Sequence, residues 1–86
     1  MISNKLNAIE GTDPEVDALR KLGNRIKTSR MKAGHYHYER FAGQHDIRRI
    51  LLCRVEFGDN VKYNSLLKIL SALGVSPAEF FSEGFD

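Results

Sequence analysis

Three arginines, Arg48, Arg49 and Arg54, crowd the stretch Ile47-Arg48-Arg49-Ile50-Leu51-Leu52-Cys53-Arg54-Val55-Glu56-Phe57-Gly58. If this stretch is a helix, Leu52 and Val55 lie three apart on its inward side and the arginines stay outside. A guanidinium presents a planar fork of donors that fits phosphate oxygens or the O6 and N7 atoms of guanine. A short basic helix pinned along one side by apolar residues can push such forks into a DNA groove while the scaffold stays fixed. An ordinary solvated helix face has the same pattern.

Other chemistries lack parts. His35, His37, His45 and Cys53 include the ligand types that zinc takes. The His-x-His pair, however, falls at a loop–helix junction and Cys53 has no Cys-x-x-Cys companion. No metal is expected, and Cys53 reads as a small, partly buried helix residue. There is no phosphate-cradling glycine loop, no nucleophile with a recognisable base and no carboxylate pair in a defined setting, so the chain is not expected to be an enzyme. Neither a cofactor nor a small-molecule ligand is evident. Tyr36 and Tyr38 offer hydroxyls to phosphates, and core packing suits one of them equally well. Phe80, Phe81 and Phe85 either cover the core or form a dimer contact, with Phe85 the better interface residue.

The elements that must position the arginines follow from local signals. Asp13 caps a first helix, Pro14 suits its first position, and Glu15 and Asp17 favour the positive end of its dipole. Val16, Leu19, Leu22, Ile26 and Ser29 form an inward stripe, Gly23 permits close packing, and Gly34 closes the helix. Tyr38, Phe41, Ala42 and His45 share a face of a second helix, from about 37 to 44, with Asp46 as turn residue and cap. The third helix runs from about 48 to 56. Asp59-Asn60 offers a cap for a fourth, from about 61 to 73, whose apolar positions Val61, Leu66, Leu67, Ile69, Leu70 and Leu73 require burial on more than one side. Ser76-Pro77-Ala78-Glu79 is a capping box that opens a short fifth helix. Nothing alternates with period two for long enough to be a strand. The fold class is all-α, a compact bundle of about five short helices.

Composition agrees with one small domain. The chain has 86 residues, 42% hydrophobic and 28% charged. No apolar run approaches the roughly 20 residues that span a bilayer, and Met1-Ile2-Ser3-Asn4-Lys5 lacks the apolar core of a signal peptide. A single cysteine fits a reducing compartment, and the cytoplasm is the expected location. The net charge of +2 hides a division, since residues 20–62 hold eleven Lys and Arg against four Asp and Glu. Charge concentrated in this way suggests a polyanion footprint.

Several blocks resemble the Cro/C1-type (XRE) family of helix-turn-helix domains. They are Leu22-Gly23-Asn24-Arg25-Ile26 with Arg30, then Phe41-Ala42, Ile47, Arg54-Val55-Glu56-Phe57-Gly58 and Leu66-Leu67-Lys68-Ile69-Leu70-Ser71-Ala72-Leu73-Gly74-Val75-Ser76, followed by Glu79-Phe80-Phe81. The resemblance covers roughly residues 20–81 and implies a lambda-repressor-like domain over 13–82, with a flexible arm at 1–12 and a tail at 83–86. It implies that Arg49, Ile50 and Arg54 face base edges in the major groove of double-stranded DNA. Arg48 and Tyr38 would lie near phosphates, and the loop from Asn60 to Lys62 would brush the backbone. It further implies a structural ion pair between Arg30 and Glu56. The chain departs from the family at Tyr38, where a glutamine usually opens helix 2, and at Asp46, where the turn usually has glycine. Ile50 and Leu51 replace polar side chains on the face that would meet DNA. The expected function is a DNA-binding transcriptional regulator acting as a homodimer. The alternative, carried by Ile50, Leu51 and the aromatics, is a protein-interaction module on the same fold, antitoxin-like or a phage-encoded adaptor.

Overall fold

The computed structural model describes residues 13–85, and the arm expected at 1–12 lies outside the described residues. Five helices follow one another, α1 Pro14–Lys32, α2 Tyr38–Gln44, α3 Arg49–Glu56, α4 Tyr63–Leu73 and α5 Pro77–Phe81, with no strand among the described residues. The all-α expectation holds. None of these helices is long and apolar enough to cross a membrane.

α1 starts as its residues dictate. The Asp13 carboxylate accepts the Glu15 N–H at 2.8 Å, Pro14 fills the first helical position, and Glu15 and Asp17 occupy the first turn. Leu22 and Ile26 are buried and Leu19 packs beside them, but Val16 is exposed, because the core meets α1 only from Leu19 onward. The stripe ends on a charged side chain, Arg30, which is buried. α1 then stops in a left-handed turn. Gly34 has φ +88°, and the N–H groups of Gly34 and His35 return to the carbonyls of Met31 and Arg30.

α1 packs on α3 and α4, α2 on α3, and α4 on α5. The core at their junction is built from Phe41, Leu52, Val55, Ile69 and Phe80 with their neighbours. α4 begins at Tyr63 rather than near 61, with Lys62 as its N-cap and no side-chain cap bond. Asn60 instead accepts the Val61 N–H, which braces the loop. Leu66, Ile69 and Leu70 are buried while Leu67 is exposed, so α4 is covered along one broad side and not all round. α5 opens with the expected box, in which Ser76 and Glu79 exchange hydrogen bonds of 3.0 and 3.1 Å.

The chain end corrects a second expectation. Phe85 is half-buried against the core, its ring 5.7 Å from Phe80 and 4.9 Å from Phe81. Arg25 fastens this corner by donating Nε–H to the Phe80 carbonyl and standing 3.7 Å from Glu83. Phe85 therefore covers the core, and Phe81 is the exposed member of the trio.

Candidate nucleic-acid interface

The exposed side of α3 depends on the turn that precedes it. Asp46 takes φ +56°, a left-handed conformation in which most L side chains clash, although aspartate tolerates it better than most. The Ile47 N–H then returns to the Ala42 carbonyl at 2.8 Å, and the Ile47 side chain is buried. This is the closing pattern of α1 with aspartate in the glycine position. Asp46 thus ends α2 and does not cap α3. α3 starts at Arg49, one residue later than expected, with Arg48 as an extended N-cap and no side-chain cap bond.

Leu52 and Val55 are fully buried, which sets the rotation of α3. Arg48, Arg49, Ile50 and Arg54 are exposed as expected. Two neighbours differ from expectation. Leu51 is half-buried against the core, so it does not join Ile50 in an apolar patch. Cys53, expected to be partly buried, is exposed. It lies on the side of the helix away from the Leu52 and Val55 contacts.

The last turn of α3 is locked to α1. Arg30 Nε and Nη2 donate to the two Glu56 carboxylate oxygens at 2.8 and 3.0 Å, and Arg30 Nη1 donates to the His35 carbonyl. Both side chains are nearly sealed from solvent, at 4% and 10% exposure. Two turns earlier on α1, Gly23 lies under the end of α3. A Cβ there would sit 2.8 Å from the Glu56 carbonyl oxygen and closer still to that of Val55. The absent side chain allows the two backbones to approach, and the ion pair then fixes how the helices align.

Around this frame the remaining expected residues take separate places. Lys62 is exposed in the α3–α4 loop. Tyr38 opens α2 half-buried against the core, while Tyr36 is the exposed tyrosine of the pair. Among the described residues, Arg48, Arg54 and Lys62 carry no ion pair or side-chain hydrogen bond, and neither do Arg40, Lys27 and Lys32. Arg49 differs. Its Nη1 donates to the Glu39 carboxylate on α2 at 2.7 Å, with both side chains more than half exposed.

Glu39 and Arg40 were absent from the sequence-derived set. Arg40 could have been found from its place two residues into α2. The Glu39–Arg49 pair bridges two helices and has no local signal. His35 and His45 have a packing role: their rings stand 4.9 Å from the Phe41 ring and 6.2 Å from each other, so the three form a triangle. Among the described residues no three His, Cys, Asp or Glu side chains converge as metal ligands.

In comparison with known proteins, no family model, no curated protein and no solved structure matches the chain.

Proposed function

We propose that this chain is a helix-turn-helix DNA-binding protein of the Cro/C1 type that regulates transcription in the cytoplasm by occupying its site. α3 enters the major groove, Arg49, Ile50 and Arg54 meet base edges, and Arg48, Lys62 and the start of α2 near Tyr38 hold the flanking phosphates. The observation that carries this reading is the division of α3 into two sides. Leu52, Val55 and Glu56 are committed to the protein, while Arg48 and Arg54 stand exposed without a partner among the described residues. Uncompensated guanidinium groups on a helix anchored to α1 at its last turn are suited to a polyanion. The exposed Ile50 fits a thymine methyl. One short helix reads only a few base pairs, so the proposal includes a homodimer on two half-sites, which would add affinity and specificity.

Fluorescence anisotropy with random duplex DNA at two salt concentrations tests it, comparing the native chain with Arg49→Ala/Arg54→Ala. Binding that weakens with salt and drops in the double variant supports α3 on DNA. Absence of binding by the native chain at low salt rejects the reading.

One observation favours a protein-interaction module instead. Phe57 is 89% exposed at the end of α3, and it lines a cleft with Met31, Tyr36 and Cys53. Salt-insensitive binding to a protein, with negligible affinity for DNA, would identify that class.

A further inference from the structure

Glu39 is the only exposed carboxylate on α2 and α3, because Glu56, the other acid there, is clasped by Arg30. If this surface faces DNA, a carboxylate on it opposes the approach of phosphates and lowers affinity for every sequence. Fold stability gives little reason to keep it. The Glu39–Arg49 pair is 58–59% exposed, and exposed pairs contribute about 0–1 kcal/mol.

Two chemical consequences of the pair do bear on recognition. First, the Arg49 side chain, otherwise free to sample many rotamers, is tied at one nitrogen by a 2.7 Å bond, which biases the direction of the rest of its fork. Second, the carboxylate accepts hydrogen bonds and donates none. In the major groove it is satisfied by the N4 amino group of cytosine and is opposed by the O6 and N7 acceptors of guanine. The arginine has the opposite preference.

We propose that Glu39 is a specificity-determining residue, positioning Arg49 so that the pair reads a guanine beside a cytosine in double-stranded DNA. This rests on the DNA reading of α3 given above. Glu39 lowers affinity for arbitrary sequence and raises the ratio between the right site and the wrong one.

The test is selection of binding sites from a random duplex library with the native chain, Glu39→Gln and Arg49→Ala, followed by salt titration on random duplex. The native chain is expected to enrich a fixed guanine with an adjacent cytosine. Glu39→Gln keeps the side-chain shape and removes the charge. It should lose the cytosine, relax the guanine and bind random duplex more tightly. Its log–log salt slope should steepen by about 0.9, one phosphate's worth, so that it loses about 3.5-fold more affinity than the native chain between about 50 and 200 mM salt. An unchanged consensus in Glu39→Gln, or weaker binding of that variant to random duplex, overturns the proposal and leaves the DNA reading standing. Failure of the native chain to bind any duplex at low salt overturns both.

Discussion

Arg30 clasps Glu56 through two parallel hydrogen bonds of 2.8 and 3.0 Å between α1 and the last turn of α3. The two ends of this contact are 26 residues apart in sequence, and both are nearly sealed from water. Its value lies in alignment more than in net stabilisation, because burying two charges costs about as much as their attraction returns.

Breaking one side of that pair is expected to be severe. Glu56→Ala leaves a buried guanidinium without its partner and should cost about 3–5 kcal/mol. Urea denaturation checks this through the midpoint. Replacing both residues with apolar side chains of similar volume should cost far less than either single change.

Gly23→Ala should destabilise the fold even though alanine is the better helix former by about 1 kcal/mol. The new Cβ meets the backbone carbonyls of Val55 and Glu56, which cannot rotate away as a side chain could. Overpacking of this kind costs about 1–3 kcal/mol, visible as a lower Tm in thermal unfolding.

Asp46→Gly should work in the other direction. Asp46 holds φ +56° with its side chain fully exposed, and its 3.6 Å contact with Lys68 is of the weak surface kind. Removing the left-handed strain, offset by the greater freedom of glycine in the unfolded chain, should stabilise by up to about 1 kcal/mol. For a domain of this size a gain of about 1 kcal/mol raises Tm by about 4–8 °C.

The free arginines should separate by role. Arg48→Ala should weaken DNA binding evenly across sequences and reduce the salt slope by about 1. Arg54→Ala should cost about 1–3 kcal/mol, concentrated on one base pair of the selected site. Anisotropy titrations on the selected site and on random duplex distinguish the two.

Glu79 should titrate below the ordinary glutamate value. The Ser76 backbone N–H donates to its carboxylate, the Ser76 side chain adds to the effect, and slight desolvation opposes both. A carboxylate whose pKa is lowered by folding stabilises the fold above its unfolded pKa and loses that contribution as pH falls through the folded pKa. Any stability advantage of the native chain over Glu79→Gln should therefore be present near neutral pH and vanish in acid. NMR titration of the Glu79 carboxyl carbon gives the pKa directly.

The sequence was most legible where a structural signal is local. Asp13 with Pro14, Ser76 with Glu79 and the glycine after α1 announced helix ends within four residues of chain, and those ends formed. It was less legible where neighbours decide. Leu51 and Leu52 are equally apolar, yet only Leu52 points to the centre of the core. Val16 fits the spacing of the α1 stripe and still has nothing opposite it. Phe85 looked unclaimed until the chain end folded back onto Phe80 and Phe81. At the candidate interface, the outward placement of Arg49 and Arg54 followed from the inward spacing of Leu52 and Val55, and that of Ile50 from the family resemblance. The tie between Arg49 and Glu39 depended on how α2 meets α3 and could not be read from either segment.

The uncapped start of α3 has a consequence for how quickly and at what entropic cost the helix engages a ligand. The first-turn amides of Arg49, Ile50 and Leu51 receive no side-chain acceptor, whereas the last turn is closed by Gly58 and anchored by Glu56. Local opening should begin at that first turn and exchange its amide hydrogens well before those of Leu52 and Val55. α3 behaves as a lever clamped at its heel with a pliant toe. Whatever docks there supplies the missing acceptors and bears the ordering of that turn itself, so association should carry an entropic penalty that a capped helix would already have met during folding.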